Sequence, residues 1–392
     1  MSEFDGIRPY NDEEVPVVLQ RLLYDNEFLD SIVKFKLPKS LGKLSFALRG
    51  TVRSRLKKEV ANVSSVADFQ QQIEKYLVRA IDKTVTELSV SGLEKLNASS
   101  AYLFISNHRD IAMDPALVNL VLYRAGFTTL RIAIGDNLLT KPFASDLMRL
   151  NKSFIVNRSA TAPREKLKAA KLLSKYIHHS VMVDSENVWI AQREGRAKDG
   201  LDRTNSAIIS MLAYSKPKAQ NLNEYIREAR IVPVSLSYEY DPCDADKARE
   251  LHAKEELGTY KKAEHEDVQS IARGITGFKG HVNLAFGEVL SGDFENTDAV
   301  TKEIDQQILS LYQLHPSNCF AYEMLEGKSP NVLVGKSQRP FLDRDFNEER
   351  KFFAARLAQI PESHRPFFLT SYANPVRDKL RIVKSESESD AG

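Results

Sequence analysis

Two hydrophobic periods divide the chain. From Asp12 to about Tyr76 apolar residues recur every three to four positions, as in "VVLQRLLYDNEFLDSIV" and "LGKLSFALRGTVRSRLKKEV", the spacing that gives a helix one apolar face. After roughly Asp82 the texture changes to short runs rich in β-branched and aromatic residues: "TVTELSV", "AYLFIS", "LRIAIG", "SFIVN", "NVWIAQ", "RIVPVSLSYEY" and "HVNLAFGEVL". Helical stretches separate most of them, and strands alternating with helices predict an α/β domain, a mostly parallel sheet flanked by helices. Past about Asp298, "VTKEIDQQILSLYQLH" and "EERKFFAARLAQI" read as helices around a mixed segment. The low-complexity end, "KSESESDAG", is expected to be disordered. The pattern therefore divides into a helical N-terminal region (1–81), the α/β domain (82–312), a C-terminal extension (313–383) and a tail (384–392), with no internal repeat.

One stretch stands out. "SNHRDIAMDP", Ser106 to Pro115, follows the run "AYLFI" and reads as strand end, loop and helix start. Loops at the carboxyl ends of strands in α/β sheets are where sites are built. His108 can take a proton near neutral pH, and an aspartate on its other ring nitrogen would fix the tautomer and stabilise the imidazolium. Asp110 and Asp114 are both candidates; a helix-capping aspartate beside a packed histidine would give the same text. "HRD" also matches a protein-kinase catalytic loop. That motif needs an Asn five residues after its Asp, where this chain has Pro115, and neither a GxGxxG before it nor a DFG after it is present.

Composition narrows the classes. With 42% hydrophobic and 28% charged residues the chain is neither disordered nor a coiled coil. A formal net charge of +2 does not suit a surface built for nucleic acid, and none is expected as a partner. Cys243 and Cys319 are far apart and form no CxxC pair, which speaks against disulfides and zinc. His178 and His179 are adjacent and point in different directions, so no metal is expected. The acidic N-terminus lacks an apolar signal core, and no run of about 18 apolar residues could span a bilayer. The expected place is the cytoplasm, peripheral on the cytoplasmic face of a membrane.

Four segments in order carry a resemblance. "SNHRDIAMDP" resembles the first motif of the glycerophospholipid acyltransferase superfamily, a His and an Asp with four residues between them. "GDNLL" with "KPFASDLMRLNKSFIVNRS" is similar to the second block, ending at an arginine associated with acceptor phosphate. "AQREGRAKDG" resembles the third, and "RIVPVSLSYE", with its internal Pro233, the fourth. The resemblance covers roughly residues 100–290 and implies a fold like that of glycerol-3-phosphate acyltransferases. Here five residues, not four, separate His108 from Asp114, while Asp110 lies only two residues on. Asp114 is taken as the orienting carboxylate because "PALVNL" continues as the family's helix does; Asp110 is the runner-up, or a cap.

The implied reaction moves a fatty acyl group from an acyl-CoA or acyl-carrier-protein thioester to the hydroxyl of glycerol 3-phosphate or a lysophosphatidate, with no bound cofactor. It needs a base, oxyanion donors and a cationic place for phosphate. His108 and Asp114 would supply the base. Arg158, Arg196 and Lys198 would place the phosphate; Glu194 would orient Arg196 or the acceptor, and Gly195 would admit substrate close to the backbone. Asn107 and Arg109, flanking the histidine, join the substrate-contacting candidates, with a loop hydrogen-bonding role for Asn107 as the plainer reading. Pro233 suggests an edge, a bulge or a substrate-lining strand, and Trp189 packing in or near the core.

From Lys39 to Val60 there are seven Lys or Arg and one Glu, with Leu41, Leu44, Leu48, Val52 and Leu56 at helical spacing, a pattern that could lie on an anionic membrane. "REKLKAAKLLSKYIHH" is a second basic stretch, suited to a carrier protein, coenzyme A phosphates or headgroups. Either could equally be a helix packed on its own core. Two rival readings are a catalytically silent relative that binds lipid or a partner, favoured by the unusual His-to-Asp spacing, and an acyltransferase for an unphosphorylated acceptor.

Overall fold

The computed structural model describes residues 2–36, 45–263 and 266–389. Helices α1 (Val15–Tyr24), α2 (Asn26–Lys36), α3 (Ser45–Glu59) and α4 (Val66–Thr84) come first, then β1 (Val85–Ser91), β2 (Leu103–Ser106) and α5 (Met113–Arg124). They are followed by β3 (Arg131–Gly135), α6 (Pro142–Leu150), β4 (Ser153–Val156), α7 (Pro163–Met182), β5 (Val188–Ala191), α8 (Ser206–Leu212), α9 (Leu222–Ala229) and β6 (Ile231–Tyr238). The chain ends with α10 (Asp244–Leu257), α11 (Glu266–Thr276), β7 (Gly280–Phe286), α12 (Thr297–Leu311), α13 (Pro316–Glu326), the short pair β8 (Leu333–Val334) and β9 (Arg339–Pro340), α14 (Asn347–Ala358) and α15 (Arg365–Ser389). All seven strands read from the sequence are present. Two compact units form: Met1–Arg79 with Leu130–Tyr176, and Ala80–Thr129 with Ile177–Gly392.

In the first unit α1 presents Val15, Val18, Leu19 and Leu22 at helical spacing to a core shared with Val63, Val66, Phe69 and Leu150. Arg21 clamps buried Asp146 with two bonds of 2.6 Å, and the Tyr10 hydroxyl donates to the same carboxylate at 2.7 Å. β3 and β4 pair in parallel. Of the basic stretch read from Lys39 to Val60, residues 39–44 lie outside the described residues. Within α3, Phe46 and Leu48 are exposed and no residue from Phe46 to Glu59 is buried.

In the second unit five strands lie in the order β1-β7-β6-β2-β5. β2 pairs in parallel with β5 and β6, and β1 with β7, while β6 and β7 run antiparallel. The middle strands are covered on both faces, which is why β2 and β6 are buried throughout and read as continuous apolar runs. Ser106 lies opposite both Ala191 and Val234. The loops after β2 and β5 therefore leave the sheet at one level, while β6 continues beside them to Tyr238. Pro233 sits in this interior strand rather than at an edge. Its carbonyl accepts from the Gly287 N–H at 2.8 Å, so its missing N–H faces the side of β7, beyond the last ladder pair of Val234 with Phe286.

An aromatic cluster holds the C-terminal helices: Phe320, Phe353, Phe368 and Tyr372 pack tilted or edge-on with ring centroids 5.0–5.9 Å apart. α13 starts with Pro316 in its first turn and stops at Gly327, whose φ of 65° suits glycine. α15 continues as far as Ser389, into the stretch that reads as low-complexity.

Replacing Phe353, wholly buried in that cluster, with alanine should lower unfolding free energy by about 3–5 kcal/mol in denaturant titrations. A second expectation concerns pH. Lys279, ahead of β7, is fully buried, with Nζ bonded to Thr84 Oγ1 at 3.1 Å and the Gly277 carbonyl at 2.8 Å. Burial pulls its pKa from the ordinary 10.5 to about 8, against the opposing pull of Asp110, Cys243 and Asp241. Between those values the folded chain has released a proton that the unfolded chain still holds. Stability from this group therefore rises with pH across the window, and Lys279→Met should flatten that slope in melts at pH 7.5 to 10.

Candidate active site

The site grows out of the end of β2. Asn107, directly after the strand, is fully buried. Its Nδ2 donates to the Leu236 carbonyl at 2.9 Å and to Asp202 Oδ2 at 3.1 Å, and its Oδ1 accepts from the Leu236 N–H at 2.7 Å. The residue is a strut between β6 and the loop after β5. It is not the substrate contact named from the sequence, because both ends of its amide are spent inside the protein. The chain then turns through Arg109 to Ala112 into α5, where Pro115 in the first turn gives up no helical bond.

Asp114, also in that first turn, has no exposed surface. Its Oδ2 lies 2.9 Å from His108 Nδ1 and accepts from the backbone N–H groups of Arg109 at 2.6 Å and Asp110 at 2.9 Å. Oδ1 accepts from the Tyr238 hydroxyl at 2.7 Å. A carboxylate is an acceptor, so the histidine proton sits on Nδ1 and the lone pair on Nε2. Burial, then the neighbouring negative charges of Asp114 and Asp110, push the Tyr238 phenol well above its ordinary range, which keeps it a donor.

Asp110 turns elsewhere. Its Oδ1 accepts from the N–H groups of Ala112 at 2.9 Å and Met113 at 2.8 Å, closing the turn into α5, and its carboxylate lies against Gly274 of α11, where a Cβ would come within 2.1 Å of Oδ2. Burial and the Asp114 charge raise its pKa. The five-residue spacing thus closes on Asp114, the additional residue being taken up by this turn.

His108 keeps a partly exposed side chain, 13%. Its ring meets Trp189 edge-on at 5.8 Å, and the Trp189 indole N–H donates to Ser106 Oγ at 3.0 Å. The third block joins by its backbone: the Ala197 N–H donates to the His108 carbonyl at 2.9 Å. That block turns at exposed Gly195, whose φ of 73° favours glycine, with Glu194 exposed beside it. Arg196 is half-buried, and its Nη1 is buried with no partner among the described residues.

Two other candidates are committed elsewhere. Arg109 is buried against Asp202 at 2.5 Å and lies 5.2 Å above the Tyr312 ring, a structural ion pair rather than a substrate contact. Lys198 is held by Glu250 at 2.5 Å, and burial lowers its pKa despite that partner. Arg158 belongs to the first unit, exposed beyond β4, where the Asp136 carboxylate accepts its backbone N–H at 3.0 Å. Its side chain lies over Gly135, where a Cβ would come within 2.9 Å of Nε.

Sequence reasoning missed Tyr238 and Lys247. Tyr238 carried a faint signal as a polar-tipped residue at the carboxyl end of a buried strand. Lys247, whose Nζ donates to the Arg109 carbonyl at 2.7 Å and pairs with Asp241, carried none. Among the described residues no group of three or more His, Cys, Asp and Glu side chains could hold a metal ion.

Residues 87–237 match the family model described as acyltransferase. Among solved structures, the 1-acyl-sn-glycerophosphate (LPA) acyltransferase PlsC from Thermotoga maritima is 16% identical, covering 76% of this chain and 94% of that one; its TM-score of 0.32 is too low to carry an argument. No curated protein matches. The matched segment runs from β1 to β6 and contains His108, Asp114, Arg158 and Arg196, so the stretch that is similar to acyltransferases is the one that carries the site.

Proposed function

We propose that the protein transfers a fatty acyl group from an acyl-CoA or acyl-carrier-protein thioester to the hydroxyl of glycerol 3-phosphate or a lysophosphatidate. The observation that carries this reading is the contact between His108 Nδ1 and wholly buried Asp114. His108 Nε2 removes the acceptor's proton as its oxygen attacks the thioester carbonyl. The tetrahedral oxyanion collapses, the C–S bond breaks, and the imidazolium returns the proton to the leaving thiolate. Asp114 holds the tautomer and offsets the imidazolium charge in between.

Arg196 is the better-supported phosphate residue, since a buried guanidinium nitrogen without a partner favours an incoming acceptor. Arg158 stays a phosphate candidate on the resemblance alone. The silent-relative reading drew on the His-to-Asp spacing, and a hydrogen bond from His108 to Asp114 takes that argument away. We place the enzyme at the cytoplasmic face of a membrane. Among the described residues no helix is long and apolar enough to cross one, and α3 carries exposed Phe46 and Leu48 on the same helix as exposed Lys57 and Lys58.

Purified protein should acylate glycerol 3-phosphate or lysophosphatidate, read by mass spectrometry, and His108→Ala should lose roughly 10²–10⁴-fold in kcat. Transfer unaffected by the alanine, or none with any donor and acceptor, would end this reading. Arg196→Ala should raise KM for a phosphorylated acceptor and leave that for an unphosphorylated alcohol unchanged; equal effects on both would assign Arg196 another role. In flotation assays the protein should rise with vesicles containing anionic lipid and do so less as salt increases.

A further inference from the structure

The two oxygens of Asp114 are served unequally. Oδ2 takes the imidazole and two backbone N–H groups, whereas for Oδ1 the partner in the structure is the phenol of Tyr238 at 2.7 Å. Tyr238 is the last residue of β6, and its own exposure is 6%. The strand paired directly with β2 thereby holds the carboxylate that holds the histidine.

We propose that Tyr238 is a positioning residue for the His108–Asp114 pair: its O–H, donated to Oδ1, fixes which carboxylate oxygen faces the imidazole and moderates the negative charge that His108 meets. The inference rests on the acyl-transfer reading for its role in catalysis but not for its test. With the hydroxyl removed, Oδ1 becomes a buried oxygen without a donor, and more of the charge falls on the imidazole. The imidazolium is then more stable, and His108 holds its proton to higher pH.

Other groups surround the pair from several elements. Arg109 is paired with Asp202, Asp110 caps the turn, Asp241 is paired with Lys247 of α10, and Lys279 lies ahead of β7. None of these groups is altered in the variants below, and Lys279, which itself releases its proton near pH 8, does so in wild type and variant alike, so a difference in His108 between them reads the phenol.

The experiment follows the His108 imidazole by NMR across pH, with its resonance assigned by loss in His108→Ala. In Tyr238→Phe, shown folded by its melt, the midpoint should rise by about 0.5–1 pH unit. It should stay at the wild-type value in Tyr225→Phe, which removes an equally buried hydroxyl bonded to the Leu212 carbonyl. Should the phenylalanine variant not fold, 3-fluorotyrosine at 238 decides: the stronger donor should lower the midpoint. An unchanged midpoint in the folded Tyr238 variant, or the same shift in Tyr225→Phe, overturns the proposal. Where transfer is measurable, the acid limb of kcat/KM should move with the midpoint while acceptor KM stays constant. The titration needs no substrate, so a protein without acyl transfer would defeat the proposed function and still leave this inference decided.

Discussion

A carboxylate without exposed surface is tolerable only if its oxygens are bonded. Asp114 meets that condition with four donors drawn from the loop after β2 and from the end of β6. Each bond is also a constraint on backbone. The N–H groups of Arg109 and Asp110 must both point inward, which sets the turn into α5 and with it the direction of the His108 ring. Charge burial in this molecule is the device that shapes the loop.

The surrounding polar groups extend the same logic. Asn107 bridges to Leu236, the Arg109–Asp202 pair reaches the loop after β5, and Lys247 caps the Arg109 carbonyl from α10. The two residues that flank His108 are thus tied to three other parts of the unit, leaving the His108 ring as the group that looks outward. An imidazole held this way has little freedom left to lose. The bonds that fix it are themselves shielded from water, where they count for most.

Much of this was written in the chain. The seven strands were legible because β-branched and aromatic runs of four to eight residues stand out against helical spacing, and the first motif was legible because a His and two Asp follow a strand. Burial was not. "NHR" gives no sign that its first and last members are internal struts, since Asn and Arg are mostly surface residues. The partners Asp202 and Leu236 lie 95 and 129 residues away. Nor could spacing choose between Asp110 and Asp114: the choice was made by the turn. α13 and α15 escaped because their aromatic residues pack on one another rather than along a single clean stripe.

Gly274 changes how the molecule can be altered. In the interior of α11 a glycine is a standing invitation to stabilise the helix with alanine, a gain of roughly 1 kcal/mol by propensity. Here the absent methyl group is the space in which the Asp110 carboxylate lies. A substitution chosen for helix propensity, on an element 164 residues from the loop, would press on the turn that aims His108. In this protein a thermostabilising scan and a map of residues that shape the candidate site would share a position that neither helix propensity nor distance along the chain reveals.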